Sequence, residues 1–170
     1  GSEMCIRDSA NDPADGFSFN YGSAALGELG SAEEGMIGKA SDNLSFEVDT
    51  WRNGDTEQGV NISGVINGED LGQLAFTNGI ILEDGSRKTG SMEVRWDPTN
   101  GASFTTTGLT TNADFTDVDT GAFIGDDEFT FNFSARVGGA NQDLFIDNLV
   151  IVAGYPDPTD DDNDGIPDGY

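Results

Sequence analysis

Histidine is absent from this chain of 170 residues, and cysteine occurs once, at Cys5. The first absence excludes His-based nucleophile triads, His-ligated zinc centres and histidine general bases within the chain. The second leaves neither a disulfide framework nor a cysteine metal cluster. Cationic side chains are scarce: Lys and Arg total 7 against 32 Asp and Glu, a formal charge of -25. A compact body with that charge repels nucleic acid and has no electrostatic hold on anionic membranes. No run of about 18 apolar residues occurs, so no stretch reads as a transmembrane helix. Carboxylate oxygen is in excess, and it suits hard cations such as calcium. An acidic surface that serves solubility is the plainer alternative.

The length allows one sizeable core, or one domain with a short appendage. Nearly every ordered-looking segment has a period of two. Phe17 and Phe19 share a face, as do Leu44, Phe46 and Val48. In E128-F-T-F-N-F-S-A-R-V137, Phe129, Phe131, Phe133, Ala135 and Val137 point one way and Thr130, Asn132, Ser134 and Arg136 the other. Such alternation describes strands with one face buried against a second layer. Further strands are expected at Val60–Ile66, Gln73–Thr77, Gly90–Trp96, Ala102–Thr107 and Asp143–Val152. Asn67-Gly68 and Asn100-Gly101 are the hairpin turns, with Asn78-Gly79 a weaker turn, because Asn and Gly tolerate positive φ. Helical periodicity is confined to a short, glycine-flanked Ala24–Leu29. The expectation is an all-β sandwich, a jelly roll with little or no helix.

Three segments follow from composition. Residues 1–10, beginning G-S-E-M-C-I-R-D-S, show no periodicity and are set apart as an artefactual or non-native leader. Residues 11–153 carry the strand pattern, without internal repeats. Residues 154–170 are an acidic, proline-containing linker.

The stretch L44-S-F-E-V-D-T-W-R-N-G-D-T-E57 concentrates the chemistry. Alternation puts Glu47, Asp49 and Trp51 opposite Leu44, Phe46 and Val48. Two carboxylates one residue apart repel unless a positive charge lies beside them. A cation is the economical partner. Where the strand ends, the Trp51 carbonyl, the Asn53 amide oxygen and Asp55 or Glu57 can converge on it, a donor mixture that calcium accepts. A solvated acidic face and a glycosidase centre are the alternatives. Glycoside hydrolysis uses two carboxylates on either side of the bond, whereas side chains at i and i+2 of a strand lie together.

Three blocks in order, P13-A-D-G-F-S-F-N20, F46-E-V-D-T-W-R-N53 and F133-S-A-R-V-G-G-A-N-Q-D-L-F-I-D-N-L149, resemble the concanavalin A-like superfamily. The match is to its L-type, legume-type lectin domain and bacterial extracellular relatives. The resemblance implies a calcium-dependent, non-catalytic carbohydrate-binding module. Asp15, following a cis Ala14-Asp15 peptide, would accept hydrogen bonds from sugar hydroxyls. Asp49, Trp51 and Asn53 would hold calcium, Asn53 also donating to the sugar, with the Trp51 indole as a stacking platform. Glu47 matches the family's transition-metal ligand, although the histidine that completes that site is missing. Gly35 would donate a backbone N–H to the sugar, and the loop containing Gly138, Gly139, Ala140, Asn141 and Gln142 would set preference among monosaccharides. Laminarinase-like relatives add a glutamate just after Glu-x-Asp; this chain has Thr50, Trp51 and Arg52 there. Lectins of this type also carry further strands before the Ala-Asp-Gly segment, so an N-terminal truncation with an exposed sheet edge is expected.

In D160-D-D-N-D-G-I-P-D168, oxygen ligands at Asp160, Asp162, Asp164 and Asp168 resemble the start of a thrombospondin type-3-like calcium repeat. With little to bury, the loop depends on a cation to offset its own repulsion. Together these features predict a Ca2+-binding module of a secreted or cell-surface protein with further domains. It would recognise a glycan or polysaccharide, without nucleic-acid binding or membrane insertion. A glycoside hydrolase or lyase on the same sandwich, and a calcium-rigidified structural adhesin, are the competing functions.

Overall fold

Alternating aromatic or branched side chains with small polar ones form β2 (Gly16–Gly22), β3 (Asn43–Asp49), β4 (Gly59–Ile66) and β9 (Thr130–Arg136). The structure is a computed structural model that describes residues 2–8, 15–23, 35, 42–51, 59–79, 88–126, 128–136 and 142–152. The other strands are β1 (Ser2–Asp8), β5 (Glu69–Asn78), β6 (Lys88–Asp97), β7 (Gly101–Thr107), β8 (Asp114–Val118) and β10 (Gln142–Asp147). Asn67 and Gly68, at φ 53° and 74°, turn the chain between β4 and β5. Both central residues at positive φ match the twist of a two-residue hairpin. Asn78-Gly79 does not join neighbours, because β5 and β6 belong to different sheets.

Two five-stranded antiparallel sheets result, ordered β10-β1-β6-β7-β8 and β5-β4-β3-β2-β9. No helix occurs among the described residues, and none there is long and apolar enough to cross a membrane. Phe46 and Phe104, from opposite sheets, meet edge to face with centroids 5.6 Å apart. Phe17, Leu44, Val48, Val60, Ile62 and Ala102 are buried in the same cluster. Tyr21 extends it toward Trp96 and Phe123, at 5.9 Å from each. The arrangement is that of a β-sandwich.

Two strands lie where alternation is weak. Ser2–Asp8, set apart above as a leader, pairs with β10 on one side and β6 on the other. Backbone ladders do not require side-chain alternation, so pattern alone could not find it. In β8 the apolar residues Phe115 and Val118 are three apart, yet both pack on the core. A register shift against β7 and a positive φ of 53° at Asp117 reconcile that spacing with one face. Conversely, residues 148–152 continue β10 in pattern but are not strand, and Leu149, Val150, Ile151 and Val152 are exposed. Ala24–Leu29, the linker 154–170 and Ala14 lie outside the described residues.

The β6–β7 turn is held by one carboxylate. Asp97 accepts from the Asn100 backbone N–H at 2.6 Å, the Asn100 amide at 3.0 Å, the Thr99 N–H at 2.9 Å and Arg95 at 3.1 Å. The Asn100 hydrogen bonds first, with Thr99 and the Arg95 charge, hold its pKa below the ordinary carboxylate value. Its contribution to stability is therefore complete above the usual aspartate pKa of about 3.9 and disappears as pH falls through the lowered folded value. A carboxyl-carbon NMR titration is expected to place the Asp97 midpoint below that of an unstructured aspartate. In the core, Phe46→Ala removes a fully buried ring and is expected to cost about 3–5 kcal/mol, read as a shift in denaturant midpoint.

Candidate functional site

β3 places Leu44, Phe46 and Val48 in the core and Asn43, Ser45, Glu47 and Asp49 on its other face. Pairing with β2, β4 and β9 extends that polar face across four strands. Ser134, Ser18, Glu47 and Asn61 form one cross-strand row; Asn132, Asn20, Ser45 and Ser63 form the next. This face is not solvated: Glu47 is 2% exposed, Asn20 1%, Ser45 1% and Asn61 5%. Asn20 donates to Asn132 Oδ1 at 2.8 Å and Ser18 Oγ at 3.1 Å. Its own Oδ1 and the Oδ1 of Asn61 are buried without a hydrogen-bond partner.

Ser63 donates its hydroxyl to Glu47 Oε1. Gly35, buried and at φ 57°, lies so close to this pair of strands that a Cβ on it would overlap the side chains of Ser45 and Glu47. Gly35, expected to donate a backbone N–H to the sugar, sits over Glu47 and Ser45, two and four residues along β3 from Asp49, while Asp15 lies at the Asp49 end.

That end is where the expected sugar and metal residues meet. Register pairs Gly16 with Asp49, and the Asp15 carbonyl accepts from the N–H groups of Thr50 at 3.1 Å and Trp51 at 3.2 Å. The Trp51 N–H also donates to Asp49 Oδ1 at 2.9 Å, which curls the chain at the end of β3. Gly16, at φ 144°, follows Asp15 in a conformation open to glycine. Asp15 is held from the opposite side by β9: its N–H donates to the Arg136 carbonyl at 2.9 Å, and Arg136 Nε donates to Asp15 Oδ2 at 2.8 Å. The Asp15 side chain is 12% exposed and that of Arg136 57%. Asp15 is thus tethered through backbone N–H, carbonyl and one carboxylate oxygen. Its Oδ1 has no hydrogen-bond partner among the described residues.

Of the expected residues, Asp15, Gly35, Glu47, Asp49 and Trp51 are described. Asn53, Asp55, Glu57, Gly138, Gly139, Ala140, Asn141 and the tail residues Asp160, Asp162, Asp164 and Asp168 lie outside the described residues; Gln142 is placed as the first residue of β10. Among the described residues no three Asp, Glu, Cys or His side chains group as a metal cage. Arg136 was not foreseen as a site residue. Its alternation with Asn132 and Ser134 assigns it to the polar face, but only the β2–β9 register brings it to Asp15.

A scan against protein-family models gives no match, and neither do searches of the curated proteins and of the solved structures.

Gly35→Ala is expected to destabilise the fold by more than about 1 kcal/mol, because its left-handed φ and its contact with Ser45 and Glu47 both resist a side chain. Equilibrium denaturation of the variant checks this.

Proposed function

We propose that the chain is a calcium-dependent, non-catalytic carbohydrate-binding module of concanavalin A-like, L-type lectin architecture, serving a secreted or cell-surface protein. The observation that carries this reading is the bonding of the Asp15 carbonyl to the Thr50 and Trp51 amides. It joins the sugar-acceptor candidate to the end of the candidate metal strand. Loss of order at one is thereby transmitted to the other through backbone bonds.

The donor chemistry fits a hard cation. Glu47 and Asp49 project from the same face of β3, both buried, and the neighbouring side chains on that face supply amide and hydroxyl oxygen. Asp49 and Trp51, with Asn53 and Asp55 or Glu57, would hold calcium, which when bound supplies positive charge and fixes the residues after β3. Glu47 belongs to the second position, where the histidine of related lectins has no counterpart. The residues of this chain then act on the sugar by hydrogen bonding. Asp15 Oδ1 accepts from a hydroxyl, Asn53 and the 138–142 loop add polar contacts, and the half-buried Trp51 offers a flat apolar surface.

Two observations favour a binding role over glycoside hydrolysis. Glu47 lies beneath Gly35 and accepts from Ser63, away from solvent. The only other carboxylate on this face of β3 is Asp49, on the same side and not across a cleft. The acidic tail, with Asp160, Asp162, Asp164 and Asp168, would bind calcium and lead toward further domains.

A glycan array run with calcium and with chelator tests the proposal. Binding is expected to need calcium. Asp15→Asn, which weakens a charge-assisted hydrogen bond worth about 1.5–3 kcal/mol, should reduce affinity about ten- to a hundredfold. Glycan binding that survives both changes undiminished would remove the reading.

A further inference from the structure

β10 lies at the edge of its sheet and pairs with β1 over all 6 of its residues, Gln142–Asp147. Hydrogen bonds of an antiparallel ladder alternate, so every second residue of an edge strand aims its N–H and C=O away from the sheet. Such an edge templates another strand unless irregularity or charge blocks it. The edge strands β5 and β8 each carry register shifts. β10 and β9 run without one, and β9 bears no carboxylate. β10 is thus the regular, acidic edge.

Its side chains sort by alternation. Leu144 packs on the core, whereas Asp143, Phe145 and Asp147 share the other face and are exposed, Phe145 by 55%. Leu149, Val150, Ile151 and Val152, next in the chain, are exposed as well. Exposed apolar side chains gathered in one segment mark a place of contact. Charge decides between occupants. A second copy pairing antiparallel about Phe145 sets Asp143 against Asp147 twice, and in-register parallel pairing sets each aspartate against itself. Like charges facing each other across strands are destabilising. On β1 the register adds Arg7 opposite Asp143 and Glu3 opposite Asp147, so this strip holds three acids to one base. The net charge of -25 extends the same field around it.

We propose that β10 is a docking edge for an extended basic segment of another protein. The segment adds as a further strand beside β10, with Lys or Arg facing Asp143 and Asp147 and an apolar residue between them against Phe145. Main-chain hydrogen bonds supply affinity, and alternate side chains supply specificity. The inference does not rest on the sugar-binding reading, because β10 belongs to the other sheet from β2 and β3.

Fluorescence anisotropy with the full chain in calcium and the labelled peptide acetyl-Ser-Lys-Val-Phe-Val-Lys-Ser-amide tests this. Its palindromic order suits either strand direction. The peptide is expected to bind, with NMR amide shifts centred on residues 142–147. Phe145→Ser, and Asp143→Asn combined with Asp147→Asn, should each weaken it about tenfold. Asp117→Asn with Asp119→Asn removes the same charge near β8 and should leave the affinity unchanged. Backbone methylation separates strand addition from charge attraction. Methyl groups on the two Val nitrogens, or on the Lys and Phe nitrogens, lie on opposite edges of the peptide. One set should abolish binding and the other spare it. Failure of the peptide to bind, equal affinity of the two methylated forms, or an equal fall in the β8 control overturns the inference. Unchanged affinity in Phe145→Ser does the same. A dimer of the unaltered chain in sedimentation that Phe145→Ser abolishes also overturns it, because a second copy is then the occupant.

Discussion

The pairing of β2 with β3 in a single register is the constraint on which the rest of the molecule depends. Phe17 with Val48, Phe19 with Phe46 and Tyr21 with Leu44 set one face toward the second sheet. Ser18 with Glu47 and Asn20 with Ser45 set the other. A slip of one residue would exchange the faces, placing Glu47 among phenylalanines and Phe46 among serines and asparagines. The same register runs on past the strand ends, where the Asp15 carbonyl meets the Thr50 and Trp51 amides. Core packing and site assembly are therefore not separable in this protein: the hydrophobic pairing that stabilises the sandwich also brings the candidate ligands together.

The buried polar face carries a corresponding cost. Leaving a buried amide oxygen without a partner costs about 1–3 kcal/mol. The face retains two of them, at Asn20 and Asn61, beside the buried carboxylate of Glu47. An ordinary two-layer sheet would put such residues in water. Burial on both faces makes β2, β3 and β4 the most enclosed strands of the molecule, and the edge strands β5, β9 and β10 absorb the exposure. Phe131 and Phe133 on β9 remain more than one-third exposed, although Phe131 stacks on Tyr21 and Phe133 packs at a tilt against Phe19. These costs fall in the middle of β2, β3 and β4, beside Ser45 and Glu47.

Electrostatics point the same way. With 32 acids and 7 basic residues, side-chain cations are too few to pair one to one with the carboxylates. Asp97 and Asp15 are exceptions, and they differ in kind. Asp97 is partly exposed at a hairpin, where its hydrogen bonds stabilise a turn. Asp15 is largely buried and joined to an arginine from a distant strand, which orients the carboxylate. The buried acids of β3 are held by neutral donors, Glu47 by the Ser63 hydroxyl and Asp49 by the Trp51 N–H.

The two-residue period determined a good deal by itself. It marked β2, β3, β4, β6, β7 and β9, identified Asn67-Gly68 as a hairpin turn, and placed Glu47 and Asp49 opposite the Phe46 face. These features are legible because side-chain alternation and turn chemistry are local. Tertiary structure alone decided the rest. It gave Ser2–Asp8 a position between β10 and β6, and turned Phe115 and Val118 inward through a register shift. It enclosed the polar face of β3, seated Gly35 on Ser45 and Glu47, and carried Arg136 across to Asp15. Each of these depends on which backbone edges pair and in what register. Hydrogen bonds between backbone groups are the same for every residue, so the side-chain pattern of a single strand cannot specify its neighbour.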